Sequence, residues 1–184
     1  MKENIVNIGC ATPLILAAIA LLVRADGPSD NSADKVRPVP PPGIEVPAAD
    51  GAELQNGVNE LGKTIDSLRE ALKAKPALLE LMPDVQIYHN AVQYARANNE
   101  FFDQREIAVA KAMIKQGTDR AKLLQEGKAP WNSSTGLVAR GYVSKIDGSV
   151  QPYGLVVPAS YQPGAAYQHR LDVWLHGRGE KLSE

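Results

Sequence analysis

Apolar residues between positions 50 and 126 recur at intervals of three and four, which is the spacing of one face of an α-helix. The first helical segment is predicted over 50–75, with Asp50 as its cap and Pro76 as its end. Its apolar positions are Leu54, Val58, Leu61, Ile65, Leu68 and Leu72. Such a narrow stripe is typical of coiled coils and needs a partner helix. Either the same chain supplies that helix, or a second copy associates through Leu54, Leu61 and Leu68.

Two further helices are predicted after this segment. Pro83 suits the first turn of a helix that runs to Asn98, and a third helix is expected from about Asp103 to Glu126, with Gly127 as its stop. Their inward residues are predicted to be Val85, Tyr88, Val92 and Ala95 on the second helix, and Ile107, Ala110, Ile114, Ala121 and Leu124 on the third. The three helices are expected to form one layer, in which the second offers an intramolecular partner for the first.

Beyond a polar break at 131–135 the apolar period changes from helical to alternating. The alternation predicts a strand over 137–146, a two-residue hairpin turn at 147–148, and a second strand that returns antiparallel over 150–157. Pro152 indicates an edge strand or a bulge. A third, buried-type strand is predicted over 170–175. Trp174 is expected to be buried in it, and Asp172 is expected to face a polar edge or pair with an arginine such as Arg170.

The beginning of the chain indicates export. Residues 1–25 have a weakly positive start and a long, nearly charge-free apolar run, which predicts a cleaved signal peptide and a secreted or periplasmic protein. The alternative is an uncleaved membrane anchor, for which the run is slightly short. If the signal is cleaved, no stable membrane span is expected. Residues 26–49 are rich in Pro, Asp, Ser and Gly and are interpreted as an extended linker.

Charge and cysteine content exclude several kinds of site. The formal net charge is −1, with 20 basic and 21 acidic residues, so nothing favours nucleic-acid binding. Cys10 is the only cysteine and lies inside the predicted signal, which leaves the mature chain without disulfides, thiolate metal ligands or a cysteine nucleophile. His89 and His169 have no second ligand at helical metal spacing, so neither a metal nor a cofactor is expected.

The last third of the sequence resembles the opening of a known enzyme fold. Residues 150–158 (VQPYGLVVP) and 171–179 (LDVWLHGRG) are similar to the first strands and the His-Gly-x-Gly turn of secreted α/β-hydrolases related to prolyl oligopeptidases and esterases. In that family the turn supplies backbone N–H groups to the oxyanion hole. The resemblance therefore implies that Gly177, Arg178 and Gly179 lie at the oxyanion hole and that His176 supports the turn structurally.

The family's nucleophile follows later, in a Gly-x-Ser-x-Gly turn that none of the serines in this sequence occupies. The expected architecture is therefore α+β, with a helical region over 50–127 followed by the first strands of an incomplete α/β-hydrolase sheet over 136–184.

The function implied by the resemblance is that of a secreted serine peptidase or esterase. Its Ser-His-Asp triad would lie beyond this chain, so the chain alone is expected to be an inactive N-terminal fragment. The alternative hypothesis is a non-enzymatic secreted module, in which the helical region binds a partner and the strands form a small complete β-domain.

Overall fold

A computed structural model of the chain describes residues 42–164 and 169–175. The predicted signal peptide, linker residues 26–41 and the turn at 176–179 lie outside the described residues. The described elements, in chain order, are helices α1 (Ala48–Ala71), α2 (Pro76–Leu79), α3 (Pro83–Ala97) and α4 (Gln104–Gln125), a 3₁₀ helix (Pro130–Asn132), and strands β1 (Gly136–Val143) and β2 (Val150–Val157). Helices and an antiparallel sheet together give the mixed α+β class that the sequence predicts.

Helix α1 contains the predicted apolar stripe but differs from the prediction at both ends. It begins at Ala48 with Pro47 before it, and no side chain caps it, so the predicted capping role of Asp50 is wrong. The Asp50 carboxylate instead accepts a hydrogen bond from Lys111 Nζ at 2.7 Å, an interaction that joins α1 to α4. The helix ends at Ala71, and Pro76 begins α2 because proline fits the first turn of a helix.

The stripe of α1 is buried within one chain. Leu61 and Leu68 pack with residues of α3 and α4, among them Val85 and Ala121. Leu54 packs in a second cluster with Val92 and Ile107. The partner of the stripe in this structure is therefore intramolecular, while self-association of the whole chain stays a prediction.

Helices α3 and α4 agree closely with the sequence pattern. Of their predicted inward residues, Ala95 and Ile114 are partly buried and the others are buried. Tyr94 of α3 is 57% exposed. It lies outside the apolar face because the position two residues after the buried Val92 is on the opposite side of the helix.

The start of α4 is fixed by a reciprocal pair of side-chain hydrogen bonds. Asp103 accepts a hydrogen bond from the backbone N–H of Arg105 at 2.8 Å, while Glu106 accepts from the backbone N–H groups of Phe102 and Asp103. This capping box satisfies N–H groups that the first helical turn leaves without a backbone acceptor. The helix stops before Gly127, which has a φ of 77°.

Asp103→Ala should lower the free energy of unfolding by about 1 kcal/mol, because the first turn of α4 loses its cap. Urea unfolding of the two proteins followed by circular dichroism measures the difference. Asp119→Ala, which removes an exposed carboxylate further along the same helix, is the control and should change the stability by less than half as much. Equal effects of the two substitutions would contradict the capping role.

Strands β1 and β2 form a two-stranded antiparallel sheet, in which Val138 lies opposite Leu155 and Gly141 lies opposite Pro152. The predicted two-residue turn is wrong, because β1 ends at Val143 and residues 144–149 connect the strands. The carboxylate of Asp147 accepts hydrogen bonds from the backbone N–H and the hydroxyl of Ser149, and these bonds close a longer loop. Gly148 occupies the left-handed conformation in that loop.

The predicted third strand is absent from the described residues. Residues 171–175 have no regular secondary structure, and their apolar side chains are 75% to 91% exposed, including Trp174, which the sequence predicts to be buried. An extended segment forms a strand only beside another strand, and no described strand lies alongside this one. The predicted pair of Arg170 and Asp172 is confirmed, with an Nη2–Oδ2 distance of 2.8 Å.

Residues 42–175, as far as they are described, belong to one compact unit. The end of the predicted linker is part of it, since the backbone N–H of Ile44 donates to the carbonyl of Phe101 at 2.6 Å. Within the described part of the chain, no helix is long and apolar enough to cross a membrane.

Candidate functional site

The most concentrated polar structure among the described residues surrounds Asp84, in the first turn of α3. Its side chain is buried, with 1% of the residue surface exposed. One carboxylate oxygen accepts hydrogen bonds from Arg140 Nε at 2.9 Å and from the backbone N–H of Gly141 at 2.7 Å, and the other accepts from Trp131 Nε1 at 2.9 Å. A buried charge is tolerated when it is paired and hydrogen-bonded in this way.

Arg120 of α4 completes the arrangement. Its guanidinium lies between two aromatic rings, 5.0 Å from the centroid of Tyr88 and 4.8 Å from that of Trp131. Its Nη1 donates to the carbonyl oxygens of Asp84 at 3.1 Å and of Ala139 at 2.8 Å. Burial lowers the pKa of the guanidinium, and the nearby Tyr88 and Asp84 act against that shift. Because an arginine side chain stays protonated in proteins, Arg120 provides a permanent positive charge here.

We call Asp84, Arg120, Trp131, Arg140 and Gly141 the Asp84 cluster. Its members come from α3, α4, the 3₁₀ helix and β1, so it joins the helical layer to the hairpin. The three donors to the Asp84 carboxylate all come from within the protein, and among the described residues no buried side-chain nitrogen or oxygen lacks a hydrogen-bond partner. The Asp84 cluster therefore stabilises the contact between the helical layer and the hairpin.

The Asp84 cluster also closes one edge of the sheet. The carbonyl of Ala139 and the N–H of Gly141 point away from β2, and they bind Arg120 and Asp84 respectively. Gly141 must be glycine here, because a Cβ atom at this position would lie 2.3 Å from the carbonyl oxygen of Pro83. The outer edge of β1 is thus occupied by side chains of the helical layer.

The other edge and one face of the hairpin are bare in the described structure. Gly154 and Val156 of β2 lie opposite Ala139 and Leu137, at positions whose backbone N–H and C=O groups point away from β1. No described backbone group outside the hairpin bonds to them. On the face opposite the helices, Leu137 and Val156 are 87% and 79% exposed.

The residues that the resemblance implicates in the oxyanion hole, Gly177, Arg178 and Gly179, lie outside the described residues, as does His176. Residues 171–175, which directly precede them in sequence, have no regular secondary structure. His89 lies in α3, far along the chain from these positions, and its Nδ1 is 3.4 Å from Asn90 Oδ1. The described residues contain no group of three or more His, Cys, Asp or Glu side chains that could bind a metal ion.

Two of the surface grooves of the described helical layer are large enough to consider as binding sites. One, of about 590 Å³, lies between α1 and α3 and is lined by polar groups that include Lys63, His89 and Arg96. Arg96 already donates to Gln55 at 2.8 Å, and the groove is open to solvent. The other, of about 420 Å³, lies between α3 and α4 and is largely apolar, with Tyr94 and Met113 in its wall. Neither groove brings together a nucleophile, a base and an oxyanion donor.

Comparison of this chain with models of protein families, with curated proteins and with solved structures gave no match. The fold and the bare surfaces of the hairpin are therefore the structural basis for a functional proposal.

Sequence patterns did not reveal the Asp84 cluster. The local sequence is ambiguous. Asp84 directly precedes the inward Val85, which favours burial, but it also follows Pro83 in the first helical turn, where a solvent-exposed acid is common. Only the packing of Trp131 and Arg140 around the carboxylate distinguishes a buried Asp84 from an exposed one. Those residues lie 47 and 56 positions further along the chain.

Proposed function

We propose that this chain forms the N-terminal part of an exported serine hydrolase, a peptidase or esterase similar to prolyl oligopeptidases. The helical layer and the hairpin would precede the catalytic residues, and the Ser-His-Asp triad would be supplied by polypeptide outside this sequence. In this enzyme Gly177, Arg178 and Gly179 would donate backbone N–H groups to the developing oxyanion, with His176 supporting the turn.

The observation that supports this proposal is the apolar surface that the hairpin exposes within the described part of the chain. One face packs on helices, while Leu137 and Val156 on the other face are almost fully exposed. Residues 171–175, further along the chain, add more exposed apolar side chains. Sheets of the α/β class are covered by helices on both faces and contain several more strands. A hairpin that begins such a sheet explains the exposed apolar residues.

The alternative, a non-enzymatic module with a complete small β-domain, fits this observation less well. A complete domain buries its apolar sheet face, and an exposed row of this kind favours association or aggregation. The helical layer, in contrast, is already closed around its own core, with the stripe of α1 buried.

The test is to express the protein as its complete gene encodes it and treat it with a fluorophosphonate probe, which labels activated serine nucleophiles covalently. We expect labelling, together with hydrolysis of a p-nitrophenyl ester or a peptidyl p-nitroanilide. The preference between these two substrates would separate an esterase from a peptidase.

The 184-residue chain alone is the matched control and should take no label, because none of its serines lies in a Gly-x-Ser-x-Gly turn. A folded gene product that neither takes the label nor hydrolyses either substrate would rule out the proposed function. Labelling of the 184-residue chain itself would show that the nucleophile had been wrongly placed beyond it.

A further inference from the structure

The groove between α3 and α4, which we call the α3–α4 groove, is apolar along most of its length and acidic at one end. Its described lining residues are apolar except for Glu100, in the connection between the helices, and Glu106, in the first turn of α4. None of them is a lysine, an arginine or a histidine. The volume of about 420 Å³ is typical of sites for small organic molecules, which range from about 300 to 1,000 Å³. The α3–α4 groove therefore combines an apolar recess with charge of a single sign.

Small side chains create the recess. Ala91 and Ala95 lie one helical turn apart on α3, and Ala110 lines the same space from α4. Larger side chains stand beside them, since Tyr94 of α3 is 57% exposed and Val109 of α4 is 37% exposed. Because an alanine side chain ends at Cβ, the space between these larger residues stays open to a ligand.

The two glutamates have acceptor capacity that the protein does not use. Oε2 of Glu106 accepts the backbone N–H groups of Phe102 and Asp103. Within the described part of the chain, Oε1 of Glu106 and both carboxylate oxygens of Glu100 accept no hydrogen bond and form no salt bridge. The neighbouring Arg105 pairs with Asp103 at 2.9 Å. Both glutamates are partly buried, and a carboxylate partly withdrawn from water attracts a cation more strongly than a fully exposed one.

The α3–α4 groove is short, which favours a small molecule over a peptide helix. From Glu106 to Met113 it follows about two turns of α4, or roughly 10 Å. A helical peptide of that length, with a diameter of about 10 Å, would have about twice the volume of the groove. A compact apolar body with one positively charged end matches both the available space and the position of the carboxylates.

We propose that the α3–α4 groove binds a small organic cation, namely an amine with an aromatic or alkyl body. Glu100 and Glu106 bind the ammonium group, which donates hydrogen bonds to their unused oxygens. The apolar body lies on the alanines, with the ring of Tyr94 against its side. The inference does not depend on the proposed hydrolase chemistry, because every described residue of the groove belongs to the helical layer.

The test compares three ligands that share an indole ring and differ in charge: tryptamine, tryptophol and indoleacetate. Each is titrated into the 184-residue chain at low salt, and the backbone amide shifts are followed by nuclear magnetic resonance. We expect tryptamine to bind with a Kd on the order of 1 mM or lower, and at least about 10-fold more tightly than the neutral tryptophol. Indoleacetate should bind more weakly than either, because its carboxylate is repelled by the glutamates.

Two results of this titration would overturn the proposal. Equal affinities for tryptamine and tryptophol would mean that the glutamates do not recognise the cation. Shift changes centred on Leu137 and Val156, rather than on residues of the α3–α4 groove, would mean that the indole ring binds the exposed face of the hairpin.

Glu100→Gln removes one charge and keeps the shape of the side chain. We expect it to weaken tryptamine binding by about 5- to 10-fold and to leave tryptophol binding unchanged. Glu60→Gln is the matched control, because Glu60 is an exposed glutamate of α1 outside the groove, and it should change neither affinity by more than about 2-fold. Parental tryptamine affinity in Glu100→Gln would contradict the role given to that carboxylate.

Ala91→Leu tests the recess itself. Ala91 is exposed and leucine is a strong helix former, so α3 should tolerate the change. The larger side chain would fill the space that the ligand needs, and we expect tryptamine binding to be lost while circular dichroism and thermal unfolding match the parent. Tryptamine binding that persists in folded Ala91→Leu would place the ligand elsewhere and overturn the proposal.

Discussion

Asp84→Ala should lower the free energy of unfolding by about 3 to 5 kcal/mol, a large fraction of the 5 to 15 kcal/mol that is usual for a folded domain. The substitution removes the acceptor for Arg140, Gly141 and Trp131 in one step. It also leaves the guanidinium of Arg140 largely buried without its carboxylate, and an unpaired buried charge is among the most destabilising changes known. Urea unfolding, followed by far-ultraviolet circular dichroism, measures the loss.

Asp66→Ala is the matched control for this experiment. Asp66 is also a helical aspartate that pairs with an arginine, Arg69, at 3.2 Å, but its side chain is 79% exposed. Exposed pairs of this kind contribute between zero and about 1 kcal/mol. A loss at Asp84 no larger than the loss at Asp66 would mean that the Asp84 cluster does not hold the hairpin to the helices.

Gly141→Ala should destabilise the protein by about 3 kcal/mol, although it adds a single methyl group. The new Cβ atom would lie 2.3 Å from the carbonyl oxygen and 2.5 Å from the carbonyl carbon of Pro83. Both atoms belong to backbone, so the strain cannot be relieved by rotation of a side chain. The strand must move away from α3, and that movement lengthens the hydrogen bond from Gly141 to Asp84.

The effect at Gly141 can be separated from any general intolerance of the hairpin to alanine. Gly154→Ala adds the same methyl group to the partner strand, at a position where nothing lies within 4 Å. We expect this variant to be as stable as the parent or slightly more so, because glycine in a strand has a larger entropy to lose on folding. Thermal unfolding of the two variants side by side gives the comparison. Similar melting temperatures for both would contradict the close approach of β1 to α3.

The helical half of the fold could be predicted from sequence because its determinants are local. The spacing of Leu54, Leu61 and Leu68 predicted α1, and Asp103 and Gly127 predicted the limits of α4 to within a residue. The end of α1 was harder to predict, since Pro76 can stop one helix or begin another. In this chain Pro76 begins α2, and this outcome depends on how α2 packs against the core.

The β-region was predicted less completely because strands depend on distant partners. Alternation identified β1 and β2, yet the same reasoning predicted a third strand at 170–175 that has no described neighbour to pair with. The Asp84 cluster lay beyond any local pattern, since its residues are separated by up to 57 positions. The implied oxyanion residues, Gly177 to Gly179, lie outside the described part of the chain, so their placement stays a prediction.

The Asp84 cluster also determines where this protein can be cut. Composition suggests a boundary near Gly127, between helices and strands, and an expression vector that stopped there would look reasonable. Such a truncation would remove Trp131, Arg140 and Gly141, leaving the Asp84 carboxylate with none of its three hydrogen-bond donors. A folded unit for crystallisation or for grafting onto another protein should therefore begin near Pro42 and retain both strands.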